Sequence, residues 1–358
     1  MESGELTNDR TRKPRQSRAG SGPTIREIAR KSGVSVATVS RVLNGSPYVA
    51  EATRESVIKQ ARASSYVTNR NARALAGGRT GLIGLTVPFF DAEYFMQIVA
   101  GAAAGLKEHD ARFVVSPTEH EHDREVSLLE RVMHGSTDGA VLVLPSESLE
   151  ELEGLTRWGC PFVVVDPSHP TNESIPTVTA AHWSGGRMMT DHMIALGHRR
   201  IGAIKGTEGW IATTERLGGY YATLASAGIP ANTELVADGD FQIQGGYEAA
   251  MRLLSLDPRP TAIFAFNDNM AVGVLQAARG LDLEVPRDLS VAGVDDAAAA
   301  TITVPNLTTI RQPLREMGRV GVDMLYRLID GQQIEAMRME LSTRLVVRGS
   351  TGPAPEDE

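Results

Sequence analysis

Apolar positions follow a helical period over residues 23–64 and gather into short unbroken runs from residue 80 onward, so the chain divides into two kinds of domain. In the first part, Ile25, Ile28 and Ala29 recur at helical spacing behind Pro23. Thr24 followed three residues later by Glu27 reads as a capping box. Gly33 ends that helix, because the tight turn wants a residue at ease with positive φ. Ser35 then caps a second helix with Val34 as its hydrophobic staple, and Val39, Val42 and Leu43 form the inward face. A third helix is predicted from about Ala52 to Ser64, with Val57, Ile58 and Ala61 inward.

From residue 80 the rhythm is LIGLTV, a helical stretch over 92–108, RFVV, a second over 123–134, AVLVL, a third over 147–158, and PFVVVD. It restarts after residue 199 with RIGAIKG, TAIFAFN and LSVAGVD, each with a helical neighbour. Strands apolar on both faces and separated by helices form parallel sheets, and two such sets predict two doubly wound subdomains. Ligands in such folds sit beyond the carboxyl ends of the strands, where Asp166, Asn267 and Asp295 stand.

Helix, four-residue turn, helix and supporting helix make a helix-turn-helix arrangement. In GVSVATVSRVLNG, residues 33–45, the short hydroxyl and amide side chains of Ser35, Thr38, Ser40 and Asn44 suit phosphate oxygens. Val36 and Ala37 can touch thymine methyls, and Arg41, one turn on, can reach guanine O6 and N7. Charge favours this over a plain three-helix packing module. Residues 1–80 hold 15 Lys/Arg against 6 Asp/Glu, a balance of +9, while the remainder carries −17 of the overall −8. A basic head on an acidic body expects a polyanion at the head alone.

The segment NRNARALAGG, 69–78, combines helix formers, Arg70 and Arg73, one apolar Leu75 and two glycines. About two turns cannot hold a helix in water unaided, so it is expected to fold only on DNA and a second subunit; a plain flexible linker is the alternative.

Size and composition allow proper cores: 358 residues, 42% of them apolar. No apolar run is long enough for a membrane span, and the N-terminus lacks the apolar stretch of a secretory signal. Cys160 alone excludes an internal disulfide and a multi-cysteine zinc site. A cytoplasmic protein is expected. EHEHD, 119–123, offers His120 and His122, but i and i+2 do not share a helix face, so a solvated loop is expected rather than a metal site. No nucleophile constellation, dinucleotide loop or phosphate loop occurs, so neither catalysis nor a cofactor is expected.

TIREIARKSGVSVATVSRVLNG, TRESVIKQA and NRNARALAGGRTGLIGL together resemble the lactose-repressor-type (LacI/GalR) transcription factors, and the likeness runs over essentially the whole chain from residue 23. The resemblance implies an N-terminal all-α helix-turn-helix domain plus an α/β periplasmic-binding-protein-like body of two doubly wound parallel-sheet subdomains. It implies a hinge helix in the minor groove with Leu75 wedged between base steps. Thr24, Tyr48, Thr53 and Asn69 are assigned to the DNA contacts as well. Two departures stand out: Ala50 replaces the usual serine at the start of the third helix, and Tyr66, Val67, Thr68, Asn69 replace Tyr-x-Pro-Asn.

In the body, LGHRRIGAIKG, ERLGGYYATL, GDFQ, FAFNDNMAVGVLQAA and VPRDLSVAGVDD match the family's sugar-binding-protein-like half. Carried across, Arg216, Phe241, Asn267 and Asp295 belong to a cleft on the second subdomain, with Asp166, Tyr94 and Phe95 on the first. A guanidinium fork, an amide and two carboxylates can satisfy several hydroxyls while an aromatic face packs on a sugar's C–H surface. The alternatives are a cytosolic or transport-associated sugar-binding protein, or a regulator whose effector is a purine or other metabolite. AAHWSGGRMM departs from the family's Asp-Asn-x-x-Gly-Gly, and His182 there either biases the cleft or fills space, with the second taken as the reading.

The expected divisions are a disordered basic tail at 1–22, the helix-turn-helix domain at 23–68 and a hinge at 69–79. The effector domain at 80–348 has a first subdomain of about 80–178 and 308–335 and a second of about 179–307 and 336–348. A disordered tail follows at 349–358. No leucine-heptad helix follows the body, so a homodimer is expected rather than the tetramer some relatives form. Such a dimer would bind a pseudo-palindromic double-stranded operator as a repressor of carbohydrate-utilisation genes, with a sugar as its effector.

Overall fold

The structure, a computed structural model, describes residues 23–43, 46, 48–64, 79–90, 92–119, 121–133, 137–157 and 159–355. Two compact units divide near residue 76. The expected basic tail and the hinge up to residue 78 lie outside the described residues, as do Asn44, Asn69 and Leu75.

The first unit holds α1 (Ile25–Ser32), α2 (Val36–Leu43) and α3 (Glu51–Ala63). Thr24 caps α1 by accepting from the Glu27 amide at 3.4 Å, but only this half of the expected box forms. The Glu27 carboxylate turns instead to Lys31, 3.0 Å away. Gly33 takes φ 67°, the left-handed turn expected of it. Ser35 Oγ accepts from the Thr38 amide at 3.1 Å and shares a hydrogen bond with Thr38 Oγ1 at 2.9 Å. Ile28, Ala29, Val39, Val42, Val57 and Ala61 are buried together, with Val34, Leu43 and Ile58 packed against them. Ala50 gives α3 no side-chain cap; Arg54 holds the preceding turn by donating to the Ser46 carbonyl at 2.6 Å.

The second unit contains two six-stranded sheets among the described residues. The first uses β1 (Leu82–Val87), β2 (Arg112–Pro117), β3 (Gly139–Val143), β4 (Phe162–Val165) and β5 (Thr177–Ala180). The second uses β6 (Ile201–Lys205), β7 (Val236–Asp238), β8 (Ala262–Ala265), β9 (Ser290–Asp295) and β10 (Thr308–Arg311). β11 (Arg338–Leu341) completes the first sheet and β12 (Arg344–Val346) the second. Their orders are β11-β5-β4-β3-β1-β2 and β12-β10-β9-β8-β6-β7. Only β12, against β10, runs antiparallel. β3, β4 and β8 are buried along their whole length, as helices on both faces require.

Those helices are α4 (Glu93–Lys107), α5 (His122–Met133) and α6 (Leu149–Thr156), then α7 (His182–Ala195), α8 (Ile211–Ser226), α9 (Ile243–Leu254) and α10 (Asp268–Gly280). The short α11 (Ala299–Ile302) precedes β10, and α12 (Leu314–Ile329) returns the chain to the first sheet. α4 and α12 touch backbone to backbone. A Cβ on Gly318 would lie 2.0 Å from the Ile98 carbonyl oxygen, and one on Gly101 1.8 Å from that of Arg315.

Three expectations are corrected here. Residues 308–311 extend the second sheet beside β9, and residues 338–341 join the first beside β5, the reverse of the expected assignment. Both are four-residue strands, too short to carry a mark of the sheet they join. The tail expected to be disordered from 349 is packed as far as 355. Ser350 is buried, donates to the Val291 carbonyl at 2.6 Å and accepts from the Thr308 amide at 2.8 Å. The Ala354 amide donates to the Leu196 carbonyl at 2.8 Å. Polar residues thus continue the second sheet's hydrogen bonding where an apolar pattern would not reveal it.

Candidate functional site

On the first unit, burial of Val39 and Val42 turns the opposite face of α2 outward. Ser35, Val36, Ala37 and Arg41 are exposed on it, and Thr38 and Ser40 are half-buried. Val36 is apolar and 42% exposed on this face. Thr24 and Tyr48 are exposed and Thr53 half-buried. The hydroxyls of Thr24, Ser35 and Thr38 are engaged in capping, so in any DNA complex they would position the helix while keeping its first turn.

In the second unit a cavity of about 1180 Å³ opens beyond the carboxyl ends of both sheets. All seven cleft residues expected from the sequence line it: Tyr94, Phe95, Asp166, Arg216, Phe241, Asn267 and Asp295. Asp166, Asn267 and Asp295 stand at or just beyond strand ends, Tyr94 and Phe95 open α4, Arg216 lies in the second turn of α8, and Phe241 lies in the loop before α9. Leu144, Asp166, Phe241, Asp295 and Asp296 all line it with positive φ, between 48° and 119°. Non-glycine residues adopt such angles only where surrounding contacts hold them, so strain is concentrated at this rim.

The floor is a chain of hydrogen bonds. Tyr94 Oη donates to Asp166 Oδ2 at 2.6 Å. Asp166 Oδ1 lies 3.0 Å from His182 Nε2, and His182 Nδ1 lies 3.2 Å from Arg216 Nη2. A guanidinium can only donate, so Nδ1 accepts and the ring proton on Nε2 is assigned to Asp166. Arg216 Nη1 donates to the Phe266 carbonyl at 2.5 Å. Asp166 leaves the first sheet, whereas His182 and Arg216 begin or belong to helices packed on the second, so the chain joins the two subdomains. Burial works against ionisation of Asp166, yet the His182 and Tyr94 bonds and the Arg216 charge hold its pKa below the usual range. Burial and the Asp166 charge raise that of Tyr94.

Asp295 accepts from Gln312 Nε2 at 2.7 Å. Burial pushes its pKa up to about 7; Arg216 and Gln312 oppose this, and Asp166 and Glu93 add to it. Asn267 caps α10 by accepting from the Met270 amide and donates to the Phe241 carbonyl, both at 2.9 Å. Phe241 stacks on Trp210 with ring centroids 5.5 Å apart. Its ring lies over Gly206, where a Cβ would come within 1.9 Å of it. The result is an aromatic wall above a charged floor.

Sequence reasoning missed three of these residues. His182 does not merely fill space; its buried ring bridges two charged groups. Its place at the start of a helix beside a strand end was the available signal. Trp210 and Gln312 line the cavity from loops that gave none. The EHEHD stretch is less a loop than expected: His122 opens α5 and lies 3.0 Å from Glu151, while His120 lies outside the described residues. Among the described residues no three His, Cys, Asp or Glu are placed to hold a metal, and no helix is long and apolar enough to cross a membrane.

A helix-turn-helix unit with an outward polar face, followed by a two-sheet body around a ligand-sized cavity, defines the class of ligand-responsive DNA-binding regulators. The chain belongs to the LacI family of bacterial transcription regulators. Residues 24–69 match the description "Bacterial regulatory proteins, lacI family" and residues 190–351 match "Periplasmic binding protein-like domain". The HTH-type transcriptional regulator CelR of Thermobifida fusca is 35% identical over 337 residues, covering 92% of this chain and 98% of that one. A solved CelR–cellobiose complex superposes with a TM-score of 0.71 at 33% identity, over 92% of this chain and 99% of that one. The lac repressor dimer bound to operator and the anti-inducer ONPF superposes with a TM-score of 0.82 at 28% identity, over 93% and 100%.

Proposed function

We propose that the protein is a cytoplasmic repressor that binds a pseudo-palindromic operator as a homodimer and is controlled by a sugar in the cavity. The observation that carries the reading is the convergence of seven residues, scattered from 94 to 295, on one cavity between two sheets. The wall of Phe241 and Trp210 suits the C–H face of a sugar ring, and the floor offers donors and acceptors for its hydroxyls. The relatives support it as well: one solved relative holds cellobiose, and another is a dimer on its operator. Ser35, Val36, Ala37, Thr38, Ser40, Arg41 and Tyr48 form the described part of the DNA face, with Thr24 and Thr53 flanking it. Closing of the cavity would change the angle between the subdomains and so the spacing of the two linkers that reach the DNA. A coupling of about 1–3 kcal/mol would give 5- to 150-fold regulation.

The test is selection of duplexes from sheared genomic DNA, followed by titration of the best duplex with and without cellobiose, ribose and other sugars. Nanomolar, salt-dependent binding that a sugar changes at least fivefold is the expected result. Binding to no duplex at any salt concentration would refute it.

A further inference from the structure

The charges around the cavity indicate what its ligand lacks. Among the described lining residues six carry carboxylates: Glu93, Asp166, Asp240, Asp295, Asp296 and Glu316. Three guanidiniums face them, and two are already engaged. Arg216 is buried and bonded to the Phe266 carbonyl and to His182, beside Asp166 and Asp295. Arg311 is paired with Asp296, which Arg348 also grips. Arg315, exposed at the rim, donates to Gln97 at 2.7 Å. Anions are ordinarily held by a free buried cation or by the bare amides of a helix N-terminus. Most helices that start at this cavity meet a carboxylate or a cap there: α4 has Glu93 in its first turn, α12 has Glu316, α10 is capped by Asn267, and Asp240 accepts from the Gln242 amide at the start of α9, whereas α8 begins behind Trp210 with neither a cap nor an acid. Gln312 Oε1, on a side chain 96% buried, has no hydrogen-bond partner and is an acceptor awaiting a donor.

We propose that the cavity selects a donor-rich ligand without negative charge, a neutral or ammonium-bearing polyol, and rejects phosphorylated and carboxylated sugars. This rests on the reading of the cavity as the effector site. A phosphate dianion would enter a low-dielectric space with carboxylates on several sides, and like-charge juxtaposition of that kind is a discriminating device in itself.

The test uses the full chain and matched probes: ribose with ribose 5-phosphate, glucose with glucosamine, glucuronate and glucose 6-phosphate, and cellobiose with cellobionate. Calorimetric titration is expected to find binding among neutral or amine-bearing members, with anionic counterparts about tenfold weaker or worse. In the double variant Glu93→Gln with Asp240→Asn the ratio of neutral to anionic affinity is expected to fall to about threefold or less. An anionic probe that binds as tightly as its neutral partner overturns the inference, as does a ratio untouched by the double variant. If no probe binds, compounds retained from a bacterial metabolite extract are identified by mass spectrometry. A retained neutral or cationic compound supports the inference. A retained anion overturns it while leaving the effector site intact, and retention of nothing overturns both.

Discussion

Glu147, in the loop between β3 and α6, is 2% exposed, and neither of its carboxylate oxygens has a hydrogen-bond partner. Its neighbour Glu125, on α5, is 1% exposed and accepts from the Ser146 amide at 3.3 Å and from the Ser146 hydroxyl. Burial pushes the Glu147 pKa up to about 8, and the Glu125 charge adds to the rise. A proton on Glu147 supplies the missing donor between the two carboxyls. Because the folded pKa exceeds the unfolded value of 4.5, the folded state holds this proton where the unfolded chain releases it. The stability it contributes is complete below about pH 4.5 and is lost progressively as pH rises toward 8. At about 1.4 kcal/mol per pH unit the ceiling on that loss is about 5 kcal/mol.

Glu147→Gln keeps a donor toward Glu125 at every pH and removes the titration. A buried amide needs partners of its own, which reduces the net gain above pH 8 to about 1–3 kcal/mol. In a body of this size that is a rise in melting temperature of about 3–9 °C. Asp295 and Asp268 have raised pKa values too, so the parent's overall decline with pH is shared. The decisive quantity is therefore the difference between variant and parent, measured by thermal unfolding from pH 5 to 8.5. It should be small at pH 5 and grow steadily. A difference that is constant with pH, or a variant less stable than the parent at pH 8, would refute the reasoning.

Two further outcomes follow from local geometry, and a third from the composition of the hinge segment. Ala50→Ser, at an N-cap position with φ −55° and ψ 139°, should stabilise α3 by about 1 kcal/mol, seen as slower amide exchange at Ala52 and Thr53. Gly318→Ala should destabilise the body by about 3 kcal/mol or more in denaturant titration, because its Cβ would meet the Ile98 carbonyl. Leu75→Ala should weaken operator binding about tenfold or more in a gel-shift titration while leaving ligand affinity of the DNA-free protein nearly unchanged.

The first two helices were legible because the starts of both and the turn between them are marked by residues with one physical use: Thr24 and Ser35 as caps and Gly33 as the left-handed turn. The parallel strands were legible for a similar reason, since β1, β3, β4 and β8 are apolar on both faces. The short strands β5, β7, β10, β11 and β12 have three or four residues each and no periodicity to detect. Among cleft residues, strand-end polar groups such as Asp166 and Asp295 declared themselves by position. His182 and Gln312 did not, because their importance lies in bonds to partners far away in sequence. The unmatched Glu147 is of the same kind: burial of a loop glutamate leaves no trace in the local pattern.

The backbone passes from one sheet to the other after β5, between β10 and α12, and between β11 and β12. Three parallel tethers restrict the lobes to bending about a shared axis and forbid one from sliding freely past the other. They also mean that neither lobe corresponds to a continuous stretch of gene. A premature stop near codon 335 would strip an outer strand from each lobe at once, together with the Ser350 plug, so late truncations should injure both halves of the body together.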